Sequence, residues 1–241
     1  MNTVKGIMLD YGGTVDTNGI HWAEVFWAQY EAEKVPVSRD LFREAYKFAE
    51  RTVAVQQLIL PHFDFEQTLR VKIRLQLDYL LHKGALPFDL QPSALAEKIT
   101  AACDALVRRT IDKARPVLEQ LTQMCPLAVV SNFYGNLNTV LTAYNIRHYF
   151  LYVVESAVVN IRKPDPAIFL KGVELLGCQA AETVVAGDTY SKDIVPAKAA
   201  GCRTIWLKGQ EWETTVAQEA ADHIIAGLEE MPGIIHQILQ A

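Results

Sequence analysis

Cysteine is scarce in this chain. Its 241 residues include only Cys103, Cys125, Cys178 and Cys202, and no two of them form a C-x-x-C pair. That scatter argues against a disulfide framework or a zinc cluster and predicts free, buried thiols in a reducing compartment. Positive charge is short as well. The 23 Lys and Arg are outnumbered by 28 Asp and Glu, for a formal charge of -5, so no surplus of cations is available to neutralise nucleic-acid phosphates. No apolar run approaches the roughly 20 residues of a membrane span, and the first residues lack the apolar core of a secretory signal. Repeats, low-complexity tracts and flexible linkers are missing too, and the six histidines never take metal-ligand spacing. These absences predict a soluble, cytoplasmic protein without nucleic-acid or membrane partners, and leave the oligomeric state open.

Apolar residues are plentiful, at 50% of the chain. From His21 to Asp112 they recur at helical spacing, in segments such as "DLFREAYKFAERTVAVQQLIL" and "EQTLRVKIRLQLDYLLHK", which predicts a block of about four helices. Ser38 or Asp40 and Ser93 are candidate N-caps. From Ala114 the rhythm changes. Short apolar runs ("LAVVS", "LYVVES", "TVVAGD", "RTIWL" and "HIIAG") alternate with amphipathic stretches, among them "RPVLEQLTQM". Strands alternating with helices predict an α/β, doubly wound parallel sheet covered on both faces. The opening run "VKGIML" belongs to the same sheet. The expected organisation is a core of residues 1–16 and 114–241, with a helical cap of residues 17–113 inserted after the first strand.

Ligands of such sheets bind beyond the carboxyl ends of the strands. There the sequence puts Asp10 after "VKGIML", Ser131 at the end of "LAVVS", Lys163 in the loop after "LYVVES", and Asp188 at the end of "TVVAGD". Two carboxylates, a hydroxyl and an ammonium converging on one crevice suit phosphoryl transfer. A carboxylate is the nucleophile, a lysine steadies the charge, and oxygen ligands facing phosphate favour Mg²⁺. Asp193, in "GDTYSKD", can orient the metal or its waters.

These stretches resemble the haloacid dehalogenase superfamily of hydrolases along nearly the whole chain. "LDYGGT", "VVSN", "RKPDPAIF" and "GDTYSKD" stand in the order and spacing of its four motifs. The resemblance implies a Rossmann-like core and a helical, C1-type cap that opens and closes over the site. By it Asp10 is nucleophile and metal ligand, Ser131 binds phosphate and Lys163 stabilises charge. Asp188 and Asp193 hold Mg²⁺ with the Gly12 carbonyl, and Thr14 and Asn132 contact a small phosphorylated or otherwise anionic metabolite.

One position departs from the pattern. The common phosphatases of the superfamily carry a second aspartate two residues after the nucleophile, which protonates the leaving group, and here Gly12 stands there. Either the leaving group needs little help, as in acyl phosphates, or the chemistry is that of phosphonoacetaldehyde hydrolases or 2-haloacid dehalogenases, or the site binds without turnover. The paired acids of "GDTYSKD" favour a metal-dependent phosphatase. A phosphonoacetaldehyde hydrolase would need a cap lysine, for which Lys34, Lys47, Lys72 and Lys83 qualify by location. The aromatic segment "HWAEVFWAQY" is expected to pack inside the cap, Asp16 to serve a turn, Tyr11 to point away from the crevice, and Arg108 and Arg109 to lie on a solvated face.

Overall fold

The structure is a computed structural model that describes residues 4–87, 90–210 and 218–240. Strand β1 (Gly6–Leu9) is wholly buried. The helical block follows it: α1 (Trp22–Ala32), α2 (Arg39–Val55), α3 (Phe65–His82) and α4 (Pro92–Met124). The chain then alternates through β2 (Leu127–Ser131), α5 (Leu137–Ala143), β3 (Phe150–Glu155), α6 (Ser156–Val159), α7 (Ala167–Leu176), β4 (Thr183–Gly187), α8 (Val195–Ala199), β5 (Arg203–Leu207), β6 (His223–Ile225) and α9 (Met231–Gln240). The six strands form one parallel sheet in the order β3-β2-β1-β4-β5-β6. This is the doubly wound α/β sheet with a helical insertion that the alternation of runs predicts.

Side chains alternate across the sheet, so neighbouring residues of one strand enter opposite cores. Ile7 and Leu9 pack with α4, α5 and α9, through residues such as Leu118, Leu137 and Ile235. Met8, between them, packs with Ile168 and Phe169 of α7 and Ala197 of α8. Burial on both faces explains why the strands read as continuous apolar runs.

Local signals set the helix starts. The Ser38 side chain caps α2 by accepting from the Leu41 N–H, and Asp64 and Gln67 form a reciprocal capping box on α3, each cap contributing about 1 kcal/mol. Helix α4 departs from expectation twice. Its cap is Gln91 with Pro92 opening the first turn, so Ser93 lies inside the helix. It also runs for 33 residues without a stop, with Pro116 in its interior, so "RPVLEQLTQM" is the continuation of the last cap helix. Buried Val107, Ile111, Ala114, Leu118 and Leu121 mark one unbroken stripe, and its burial outweighs the single hydrogen bond that a proline removes.

The insertion is tied to the sheet by polar contacts. Tyr144 donates to Asp104 Oδ1 at 2.6 Å, and Asn136 donates to Phe63 O at 2.9 Å and Thr68 Oγ1 at 2.8 Å. Within the core, Arg115 of α4 donates to the carbonyls of Tyr144 and Asn145. No helix among the described residues is long and apolar enough to cross a membrane, and the four cysteines are free.

Candidate active site

The sheet order reverses direction about β1, and the crevice beyond its carboxyl end is where such folds bind ligands. Leu9 is level with Val129 of β2 and Ala186 of β4. The register therefore carries Asp10, Ser131 and Asp188 to the same edge, while the loop after β3 brings Lys163 across. The sequence-predicted residues meet there. Lys163 Nζ donates to Asp10 Oδ1 at 2.7 Å, to Asp193 Oδ1 at 2.5 Å and to Val130 O at 3.1 Å. Ser131 Oγ donates to the same Asp10 oxygen at 2.8 Å. Among the described residues no group donates to Asp10 Oδ2. Asn132 holds the lysine in place: its side chain accepts from the Lys163 N–H at 2.9 Å and donates to the Lys163 carbonyl at 3.0 Å.

Asp10, Asp188 and Asp193 are all buried, and each offers a carboxylate oxygen within 4.8 Å of the others. Thr14 is fully buried and donates to Asp188 Oδ1 at 3.3 Å, so its hydroxyl serves the carboxylate. Asp193 Oδ2 accepts from the Thr189 N–H at 2.9 Å. The turn after β1 needs glycine at position 13, where φ is 98° and a Cβ would run into the Asp188 carboxylate. Asp16 closes that turn, accepting from the Gly13 N–H at 2.7 Å and from Trp22 Nε1 at 2.9 Å.

Burial dominates the electrostatics. It raises Asp10 to about 6, against the opposing pull of Lys163 and with Asp193 adding to the rise. It lifts Asp188 well above the usual carboxylate range, helped by Asp193 and Asp10. Burial acts to lower Lys163, but Asp10 and Asp193 outweigh it and hold the side chain as an ammonium. Three clustered carboxyl groups thus crowd round one ammonium, and among the described residues Lys163 is the one cation paired with them. An all-oxygen, anionic, buried donor set of this kind fits a hard divalent cation.

The crevice is roofed by the helical block. Its wall includes Asp10, Gly12, Ser131, Asn132, Lys163 and Asp193 from the sheet side, and His21, Trp22, Tyr46, Glu50, Phe65 and Lys72 from the insertion. Tyr11 is buried and turned away, edge-on to Phe65 and Phe133 at 6.0 and 5.7 Å. Arg108 pairs with Asp104 on the outer face of α4. Of the aromatic segment, Phe26 and Tyr30 are fully buried in the insertion, as expected. His21 and Trp22 instead line the crevice. His21 accepts from the Ala23 N–H at 3.1 Å at the start of α1, and burial lowers it to about 4, so the ring is neutral at pH 7.

Gly12 leaves room for a Cβ. A Cβ built there meets only the Trp22 indole, at 3.9 Å. Of the four lysines offered by location, Lys34, Lys47 and Lys83 are exposed, and Lys72 is the one in the crevice. Its Nζ is 2.7 Å from Glu50 Oε1. Burial acts to lower it, and Glu50 with Tyr134 and Tyr46 more than compensates, so it is an ammonium. Sequence reasoning passed over Glu50 and gave Lys72 no particular weight. The available signal was a charge at position 72 within the apolar stripe Leu69, Ile73, Leu77 and Leu80 of α3.

Comparisons with known proteins place the chain among the hydrolases of one family. A family model described as haloacid dehalogenase-like hydrolase matches residues 4–201. "Haloacid dehalogenase-like hydrolase domain-containing protein 3" of Danio rerio is 34% identical over 104 residues, covering 43% of this chain and 43% of that protein. A "Glyceraldehyde 3-phosphate phosphatase" of Methanocaldococcus jannaschii is 31% identical over 93 residues, covering 39% of this chain and 41% of that protein. The matched segments thus span less than half the length of these curated relatives. In fold, the chain is similar to the L-2-haloacid dehalogenase RSc1362, with a TM-score of 0.64 at 18% identity over 97% of this chain and 99% of that one. It is also similar to the putative hydrolase YfnB from Bacillus subtilis, solved bound to magnesium, with a TM-score of 0.61 at 17% identity over 97% and 99% of the two chains.

Proposed function

The chain belongs to the haloacid dehalogenase-like hydrolases, and on that premise we propose that it is a Mg²⁺-dependent phosphatase of small phosphorylated metabolites, working through an aspartyl-phosphate, with residues 17–113 as its cap. The observation that carries this reading is the buried cluster of Asp10, Asp188 and Asp193 set against Lys163. Asp10, Asp188 and Asp193, with the Gly12 carbonyl, would hold the cation, which supplies charge neutralisation for a phosphoryl group.

The protein's own groups divide the work. Asp10 Oδ1 is engaged by Ser131 and Lys163, which leaves Oδ2 to attack phosphorus. An O–P bond forms to Asp10 as the bond to the leaving oxygen breaks, and that oxygen departs with the electron pair. Water then attacks phosphorus, giving inorganic phosphate and restoring the carboxylate. Ser131 and Asn132 would offer a hydroxyl and an amide to an incoming phosphate, and Lys163 offsets the charge that builds on it. Asn132 and Asp193 act by positioning Lys163.

Gly12 supplies no proton, so the reading favours substrates with good leaving groups, acyl phosphates first. The two carbon-bond alternatives find less support. A metal-free dehalogenase has no use for three clustered carboxylates, and the charged state of Lys72 opposes the free amine that a Schiff base requires. The deciding experiment is phosphate release from acetyl phosphate and p-nitrophenyl phosphate. The expected result is Mg²⁺-dependent turnover abolished by Asp10→Asn. Turnover that ignores both the metal and the variant would overturn the reading, and so would its absence across a broad phosphate panel while Mg²⁺ still binds, the mark of a non-catalytic phosphate binder.

A further inference from the structure

The roof of the crevice carries a second charged assembly, separate from the one around Asp10. Lys72 of α3 is 6% exposed and lies 2.7 Å from Glu50 of α2. The other Glu50 oxygen accepts from the Tyr134 hydroxyl at 3.1 Å, and Tyr134 follows Ser131 by three residues on the loop after β2. The Lys72 ammonium also sits over the rings of Tyr134 and Phe26, at 5.4 and 5.7 Å. A buried ion pair contributes little net stability, because the desolvation of both charges offsets their attraction. Its position on the wall shared with Asp10 gives it a different use.

We infer that Lys72 and Glu50 are a specificity subsite that reads a short hydroxylated chain on the far side of the phosphate. The inference rests on the phosphatase reading and deepens it. The chemistry follows from the pairing. An ammonium and a carboxylate side by side are neutral together and present both donors and an acceptor, the complement of a hydroxyl group, which donates and accepts at once. A second carboxylate on the substrate would instead have to face Glu50. The ring contacts of Lys72 are weaker than a hydrogen bond from a charged donor to a substrate oxygen, so they yield when one arrives. Trp22, Phe65 and Tyr46 supply apolar wall for the carbon chain.

Size narrows the class further. The crevice holds about 130 Å³, room for several water-sized groups. A phosphoryl group takes a share of that room, which favours a short carbon chain beside it.

Binding tests the inference independently of turnover. Calorimetry on the full-length Asp10→Asn protein in Mg²⁺ would compare glycerol 3-phosphate with n-propyl phosphate, which has the same carbons and no hydroxyls. The diol is expected to bind at least about tenfold tighter. In the Lys72→Gln, Glu50→Gln double variant, which removes both charges and strands neither, that preference should shrink to about twofold or less. Lys72→Arg, which restores the charge, should keep part of it. Equal binding of the two ligands by the parent protein overturns the inference, as does a preference that survives the double variant. Tighter binding of a propyl phosphate bearing a terminal carboxylate also overturns it, in favour of an anion site. If none of these ligands binds and no phosphate is turned over, the phosphatase reading falls as well, an outcome distinct from two ligands binding equally.

Discussion

The indole of Trp22 stands 3.9 Å from the point a Cβ on Gly12 would occupy. Gly12 has ordinary extended angles, φ -78° and ψ 112°, so any residue can adopt its backbone. Neither strain nor crowding of a Cβ accounts for glycine here. The backbone and the surroundings of a Cβ here both admit a side chain.

Gly12→Asp should therefore fold and supply the missing proton. Because general acid–base catalysis is typically worth about 10²–10⁴-fold, kcat for an alkyl phosphate should rise by about 100-fold. p-Nitrophenyl phosphate, whose leaving group needs no proton, should change far less. Steady-state kinetics on the two substrates checks the ratio. Equal changes on both would mean that the aspartate acts by some other route.

Among the described residues, Lys163 is the one ammonium paired with Asp10 and Asp193. Lys163→Met should abolish turnover and leave buried carboxylates without their cationic partner, a loss of about 3–5 kcal/mol. Urea denaturation would measure it. A variant as stable as the parent would show that the cluster is balanced by something other than this lysine.

Asp16 gives a pH signature. Burial is the main force raising its carboxyl to about 7, and the hydrogen bonds from Gly13 and Trp22 only partly oppose it. A carboxyl raised on folding binds its proton more tightly in the native state. Its contribution to stability is thus fully present below the ordinary carboxylate range near pH 4 and is lost as pH rises through about 7. Asp16→Asn should flatten that decline. Thermal melts of both proteins between pH 4 and 8 would test it, and parallel curves would contradict the assignment.

The strand ends were readable because two simple rules act on them together. An apolar run buried on both faces stops where the chain must turn, and the polar residue found there faces the ligand edge, as Asp10, Ser131 and Asp188 do. Helix α4 was less readable. Pro116 marks a break by local rules, whereas the stripe through Ile111, Ala114 and Leu118 carries on past it, and packing on two layers decided the outcome. The roof was hardest to foresee. Periodicity gives the face on which Lys72 sits, but its partner Glu50 lies on another helix and Tyr134 lies beyond β2. No spacing within one segment encodes a meeting of three.

The 33 residues of α4 make a rod about 50 Å long, anchored at one end in the roof and at the other beneath the sheet. Roof and floor consequently cannot be traded between relatives like cassettes. A chimera joined at residues 113 and 114 would be spliced in mid-helix, and two foreign apolar stripes would have to continue in phase across the junction. Exchanges that carry all of α4 with its own sheet, and take only α1 to α3 from a donor, leave that beam whole.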